Sequence, residues 1–113
     1  MGYSNYWTQD KSFSDDEWKQ IKDEYNYIKT VFGEFIEDQT ESDNQIVFNG
    51  KGEENQCETF ILLQHPNKTV KYERHNPAFN FCKTRQLPYD LAVWHLLTFI
   101  KQFGIAIERD CYD

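Results

Sequence analysis

The residues best able to do polar chemistry lie close together in the stretch "FNFCKTRQLPYD". Lys83, Thr84 and Arg85 supply two cations and a hydroxyl group, and Asp90 follows five residues later. The alternating apolar pattern before Lys83 predicts a strand, and Pro88 predicts the first turn of a helix. Because the first N–H groups of a helix are unpaired and partly positive, such a junction can bind an anion or a phosphate group.

Two other interpretations of this junction stay open. In a structural interpretation, Asp90 complements the helix dipole, Thr84 bonds to loop backbone, and the two cations pair with Glu58 or Asp90. In the other, the same groups contact a partner protein. The candidate binding residues are Glu58, Lys83, Thr84, Arg85, Tyr89 and Asp90.

Catalytic and metal-binding patterns are weak. Cys57 or Cys82 with a histidine would make a thiol nucleophile and base, but strand cysteines are mostly buried and reactive ones need an exposed, electropositive setting. Glu58 and Asp90 would serve as acid and base only if the fold brings them together. The histidines are His65, His75 and His95, and the cysteines and histidines show no recurring ligand spacing. We expect no catalytic residue, no metal and no cofactor, and a core or interface position for His95.

Aromatic residues favour an interaction protein instead. They make up 17% of the chain, and tyrosine and tryptophan are common interface anchors. Tyr3, Tyr6 and Trp7 stand before the first predicted helix and are the candidate interface residues. The alternative is that these rings pack on their own domain.

Charge is segregated along the chain, whose formal net charge is −7. Residues 34–58 carry eight acidic side chains against one lysine, and residues 65–85 carry five basic side chains against one glutamate. The net charge disfavours non-specific nucleic-acid binding. A homodimer that sets the acidic segment of one subunit against the basic segment of the other would resolve this asymmetry. Binding of a nucleic acid or a small anion through residues 65–85 and the junction is the alternative function.

Three cysteines without a C-x-x-C pair favour a reducing compartment, and neither a signal-peptide pattern nor a membrane-spanning run is visible. We therefore expect an intracellular protein with no membrane contact.

Local signals predict the elements that position these residues. Residues 1–12 show no periodic pattern of apolar residues and are predicted to be an N-terminal arm. Ser14 and Glu17 form a capping box, and Phe13 and Trp18 form a hydrophobic staple, so a helix begins there. Its apolar stripe consists of Trp18, Ile21, Tyr25, Ile28 and Phe32, and Gly33 is the predicted stop.

The rest of the chain predicts β-structure around one more helix. Residues 34–45 are expected to be an exposed linker, followed by a hairpin whose turn is Asn49-Gly50. Short strands are expected over residues 69–74 and 78–84, an apolar helix over 88–103 with Gly104 as its cap, and a final strand over 105–110. This order predicts an α+β two-layer sandwich, with an antiparallel sheet of about four strands packed against two helices, in one domain of residues 13–113.

The motifs "FNG", "ETF", "FCKT" and "PYD", in this order, resemble a family of small uncharacterised proteins of phages, bacteria and large DNA viruses. The resemblance covers residues 46–108, and the first predicted helix and the acidic linker after it are similar to those of a small virion protein of Marseillevirus-group giant viruses. It implies a viral setting and a compact α+β domain, and it implies no catalytic activity. Together with the aromatic residues, it predicts a non-enzymatic viral interaction protein, a homodimer or the partner of a viral or host protein, in the host cytoplasm or nucleus and in the virion. Two departures from the family pattern are Leu87, where a basic residue is frequent, and the ending "ERDCYD".

Overall fold

The computed structural model describes residues 3–66 and 79–111, and the predicted strand over 69–74 lies outside them. The described chain is α+β, which confirms the predicted class. Its elements are β1 (Tyr3–Thr8), α1 (Asp15–Phe32), β2 (Ile36–Asp38), β3 (Gln45–Gly50), β4 (Phe60–Leu63), β5 (Phe79–Lys83), α2 (Asp90–Ile100) and β6 (Ala106–Cys111).

The strands form two antiparallel three-stranded sheets within the described residues, whereas the sequence pattern predicts one sheet of about four strands. One sheet has the order β5-β1-β6 and the other has the order β2-β3-β4. Both helices contribute buried apolar side chains to one core cluster, which also contains Trp7, Phe48 and Phe60. The two additional strands, β1 and β2, come from segments that the sequence pattern assigns to an arm and a linker.

β1 corrects the prediction of an N-terminal arm. Tyr3–Thr8 is the central strand of its sheet and pairs with β5 on one side and β6 on the other. Trp7 is 2% exposed and its ring lies 5.1 Å from that of Phe60. The strand shows no clear alternation in sequence because its inward residues include the polar Asn5 as well as Trp7, so tertiary pairing specifies it more than pattern does.

α1 begins as predicted. The Ser14 hydroxyl accepts a hydrogen bond from the Glu17 amide at 3.1 Å, and the Ser14 amide donates to Glu17 Oε1 at 2.9 Å. The rings of Phe13 and Trp18 stack with centroids 5.9 Å apart. Gly33 follows the helix, but its φ of −57° is right-handed, so the chain does not stop there through a left-handed cap.

The predicted hairpin is confirmed in its strand pairing and wrong in its turn. β3 and β4 pair with Phe48 opposite Phe60, but Asn49 and Gly50 are the last residues of β3 and both are buried. A Cβ at Gly50 would lie 1.8 Å from the Asn55 carbonyl oxygen, so glycine is needed for close backbone approach. The positive φ in this connection, 93°, belongs to Gly52.

α2 is shorter than predicted and continues as a turn of 3₁₀-helix over Lys101–Phe103. Gly104 follows with φ 88°, which confirms the left-handed cap. The helix is buried on more than one side, as its composition predicts, and Leu91 is its one strongly exposed large apolar residue among those described, at 57%.

Candidate functional site

The junction between β5 and α2 is built around a buried carboxylate. Asp90 is 4% exposed, and its Oδ1 accepts hydrogen bonds from the Thr84 hydroxyl at 2.6 Å and from Asn5 Nδ2 at 2.9 Å. Its Oδ2 accepts from Arg109 Nη2 at 2.6 Å. Four elements therefore meet at one carboxylate: β1, the end of β5, the start of α2 and β6.

Arg109 completes this network from the far end of the chain. Its Nε donates to Asn5 Oδ1 at 2.9 Å, and its guanidinium carbon lies 4.3 Å from the centroid of the Trp94 ring. A guanidinium held between a carboxylate, an amide and an indole face has little freedom to reorient. We call Asn5, Thr84, Asp90 and Arg109 the Asp90 network.

Backbone contacts fix the other side of the junction. The Tyr89 hydroxyl donates to the Glu58 carbonyl oxygen at 2.7 Å, and the Lys83 amide donates to Glu58 Oε1 at 2.6 Å. The Glu58 amide donates in turn to the Lys83 carbonyl at 3.1 Å. Burial raises the pKa of Tyr89 well above its usual range, and the charges of Cys82, Cys57 and Glu58 add to this shift. Tyr89 is therefore a neutral donor that ties the start of α2 to the segment before β4.

The loop between β5 and α2 is a tight turn under backbone strain. Arg85 and Gln86 have φ values of 54° and 60°, and the Leu87 amide donates to the Thr84 carbonyl at 3.0 Å. Arg85 and Gln86 are the two central residues of the turn that this hydrogen bond closes. Two consecutive positive φ values at these positions define a type I′ turn, which normally uses Asn-Gly. Neither residue here has that conformational preference.

Five of the six candidate binding residues, all except Arg85, take part in the contacts of this junction. Thr84, Tyr89 and Asp90 are buried, whereas Lys83, Arg85 and Glu58 are exposed. Glu58 and Asp90 contact different groups, and Asp90 takes Arg109 as its cation instead of Lys83 or Arg85. Thr84 donates to the Asp90 carboxylate, where the structural interpretation expects a bond to loop backbone. The contacts expected in that interpretation are therefore wrong, and the role of the junction stays a prediction. Sequence reasoning misses Arg109 and Asn5 because they lie 19 and 85 residues from Asp90.

The thiols and imidazoles are separated from one another. Cys82 is buried, and burial followed by the charge of Glu58 raises the pKa of its thiol to about 12. His95 Nε2 lies 2.7 Å from Glu24 Oε2, between the two helices, and His65 Nδ1 lies 2.9 Å from the Ser12 hydroxyl. Among the described residues no three His, Cys, Asp or Glu side chains are grouped as a metal site. His75 lies outside those residues.

An exposed aromatic surface lies on the sheet formed by β5, β1 and β6. Asn5, Trp7 and Cys82 point into the core, so the alternate residues of the same strands point outward. Phe79 and Phe81 are 40% and 54% exposed. The Tyr6 ring stacks on Phe79 with centroids 5.6 Å apart, and the Phe79 and Phe81 rings are 6.4 Å apart.

We call this outward side the aromatic face. It consists of Ser4, Tyr6, Thr8, Phe79, Phe81, Lys83, Ala106, Glu108 and Asp110. The Tyr6 hydroxyl donates to Asp110 Oδ2 at 2.9 Å, which holds that carboxylate at the β6 side of the face. The alternation of "FNFCK" places Phe79, Phe81 and Lys83 together in sequence, but which side of the strand meets solvent depends on where the helices pack.

The candidate interface residues divide accordingly. Trp7 is a core residue, which agrees with the alternative that the early aromatic rings pack on their own domain. Tyr6 lies on the aromatic face, where its ring is half-buried between strands. For Tyr3 the structure describes the backbone pairing with Cys111 and not the side chain.

A polar cleft of about 440 Å³ runs between α1 and the β2–β3 hairpin. Lys19 and Lys29 line it together with Asp23 and Asp38, and these four pair as Lys19–Asp23 at 3.1 Å and Lys29–Asp38 at 3.8 Å. The opposite charges on its walls therefore largely neutralise each other.

Comparisons with protein families, with curated proteins and with solved structures find no match for this chain. Neither helix in the described part combines the length and apolar composition needed to cross a membrane. The functional assignment therefore depends on the surfaces described above.

Proposed function

We propose that this chain is a protein-interaction module without catalytic activity of its own, and that it binds another protein through the aromatic face. The main support is the exposure of Phe79 and Phe81 on a hydrogen-bonded strand. Exposed aromatic rings that lie beside one another form an apolar patch, and patches of this kind mark interaction sites.

The chemistry of the junction supports a non-enzymatic role. Its carboxylate is bonded to three donors, its tyrosine is a neutral donor, and the Cys82 thiol stays protonated at neutral pH. These groups hold elements in place, and they present no nucleophile with an adjacent base.

The setting proposed is the one implied by the resemblance: a viral protein that acts in the cytoplasm or nucleus of an infected cell and is carried in the virion. In that setting a small module with one apolar face joins copies of itself or another viral or host protein. The Asp90 network supports this role because it fixes the three strands that present the face.

Affinity capture from infected cells tests the proposal. The wild type is compared with a Phe79→Ser, Phe81→Ser double variant and with Leu91→Ser, a matched control that removes one equally exposed apolar side chain from α2. We expect the wild type and the control to recover the same specific protein, and the double variant to lose it while keeping the wild-type circular dichroism spectrum. Equal recovery by all three proteins would contradict the assignment of the aromatic face.

Binding of a single-stranded nucleic acid is the second candidate, favoured by one observation. Lys83 lies on the same side of β5 as Phe81, and a cation beside an exposed ring is the pattern of a base-stacking site. Titration with labelled oligonucleotides over a salt series separates the two functions, because a phosphate contact weakens steeply as salt rises.

A further inference from the structure

We propose that the protein bound at the aromatic face is a second copy of this chain, related to the first by a twofold axis that runs parallel to β1. This inference, which rests on the function proposed above, names the occupant of the same surface. It follows from how the pairing of the three strands places charged, aromatic and small side chains in rows.

Three rows of outward side chains cross the sheet from β5 to β6. Ser4 pairs with Lys83 on one side and Asp110 on the other, so the first row has a cation at one end and an anion at the opposite end. In the last row Thr8 pairs with Phe79 on one side and Ala106 on the other. These two rows are therefore complementary to themselves when the left and right sides of the face are exchanged. In the middle row Tyr6 pairs with Phe81 on one side and Glu108 on the other.

A twofold axis along β1 makes that exchange. This axis places β5 of each copy over β6 of the other. Each row of side chains then faces the same row of the other copy. Lys83 then faces Asp110 of the other copy, and Phe79 faces Ala106, which is small enough to leave room for the ring. Each contact occurs twice, as a closed dimer requires.

The two charged groups of the first row are available for this pairing, whereas Ser4 between them is only 7% exposed. Lys83 is exposed, and its ammonium group has no ionic partner in the part of the chain that the structure describes. Asp110 is positioned by the Tyr6 hydroxyl through Oδ2, which leaves Oδ1 to accept from a lysine. Two charge pairs at the edge of an apolar contact set the orientation of the dimer.

A twofold axis across the strands, instead of along them, fits the charges poorly. It would place β6 over β6, with Glu108 facing Glu108 of the other copy and Lys83 facing Phe79. With the axis along β1, Glu108 faces Phe81 of the other copy and no like charge. Like charges directly opposed are unfavourable, so the axis along β1 is the one that the surface favours.

The size of the face indicates a weak dimer. Three strands about 4.8 Å apart and five residues of about 3.4 Å each cover an area of roughly 15 by 17 Å. The two copies together would bury roughly 500 Å², which is well below the roughly 1,200 Å² at which standard specific interfaces begin. Dimer formation should therefore depend on concentration, and it should be followed over a wide range of concentrations.

Charge exchange tests the axis directly. The two single variants Lys83→Glu and Asp110→Lys are purified, checked for a wild-type circular dichroism spectrum, and measured alone and as an equal mixture by native mass spectrometry and sedimentation. Alone, each variant sets like charges against each other in both pairs. In the mixture, the introduced glutamate of one chain would face the introduced lysine of the other, and the unchanged Asp110 would face the unchanged Lys83.

We expect the wild type to dimerise with rising concentration, each single variant to be monomeric under the same conditions, and the mixture to form heterodimers. The matched control exchanges charges at two exposed positions that adjoin strands of the other sheet, Lys51→Glu and Glu41→Lys, and should leave the dimer unchanged, alone or mixed.

A wild type that stays monomeric at every concentration, or a mixture that forms no heterodimer, overturns the inference. If the Phe79→Ser, Phe81→Ser variant nevertheless loses its captured protein in the experiment above, the proposed function stands and the occupant is a different protein. If the dimer forms and survives both charge variants, the copies associate through another surface, which also overturns the inference.

Discussion

Replacing Asp90 by alanine should cost more stability than any other single carboxylate substitution in the described chain. The substitution removes one carboxylate and, with it, three hydrogen bonds that reach Asn5, Thr84 and Arg109. It also removes the carboxylate that contacts the Arg109 guanidinium at 2.6 Å, in an arginine side chain that is only 19% exposed.

The magnitude follows from burial. Breaking a buried ion pair by removing one member costs about 3–5 kcal/mol, because the remaining charge stays desolvated. In a chain of 113 residues, each kcal/mol lowers the melting temperature by roughly 4 °C. We therefore expect the melting temperature to fall by about 12–20 °C. The loss is a large part of the roughly 5–15 kcal/mol that typically stabilises a small domain.

Urea unfolding followed by circular dichroism measures the loss, and a double-mutant cycle isolates the pair. Asp90→Ala, Arg109→Ala and the double variant are compared with the wild type, and the coupling should exceed about 1.5 kcal/mol. Asp23→Ala is the matched control, because the Lys19–Asp23 pair has side chains that are 73% and 64% exposed. That control should lose no more than about 0.5 kcal/mol.

A loss below about 1 kcal/mol for Asp90→Ala, or strictly additive effects of the two substitutions, would refute this reasoning. Either result would mean that the carboxylate and the guanidinium are solvated well enough that neither depends on the other for its contribution to stability. An intermediate variant, Asp90→Asn, keeps the shape and removes the charge, so it should fall between the wild type and Asp90→Ala.

The remaining predictions concern the strained turn and the acid limit of stability. Arg85→Asn with Gln86→Gly should raise the free energy of unfolding by about 1 kcal/mol in urea, because Asn-Gly suits two positive φ values; Gln20→Gly, in the exposed part of α1, should lower it by about as much. Burial raises the pKa of Asp38, but hydrogen bonds from Tyr25 and Thr40 and the charge of Lys29 outweigh it and hold the pKa below its usual value. The stability that this carboxylate contributes is therefore present above about pH 4 and lost as pH falls further; Tyr25→Phe should reduce the stability difference between pH 7 and pH 3, and an unchanged difference would contradict this assignment.

Local signals in the sequence are sufficient to predict both helices and the alternation of β5. The start of α1 depends on Ser14 and Glu17, which lie within one turn of each other. The end of the 3₁₀ turn that follows α2 depends on Gly104, whose left-handed backbone disfavours a side chain. Such interactions act between near neighbours, so residue types and spacing are enough to predict them.

The sequence pattern is not sufficient for β1 and β2 or for the turn between β3 and β4. A short strand in the centre of a sheet is stabilised by its neighbours, so Tyr3–Thr8 depends on residues about 75 and 100 positions later in the chain. Asn-Gly commonly forms a turn, and the pattern therefore assigns Gly50 to one, whereas its actual role is to let the Asn55 carbonyl approach.

The α+β class, the position of the helices, and the grouping of Phe79, Phe81 and Lys83 on one side of a strand can all be predicted from residue types and spacing. Three further features depend on tertiary packing: that this side faces solvent, that Asp90 takes Arg109 as its partner, and that Lys83 and Asp110 lie at opposite ends of one row. The physical reason is that side-chain alternation has a period of two and is the same whichever side is buried. Which side is buried is decided when the helices cover one side of the sheet. Burial then favours the ion pair that can be enclosed with all its hydrogen bonds made.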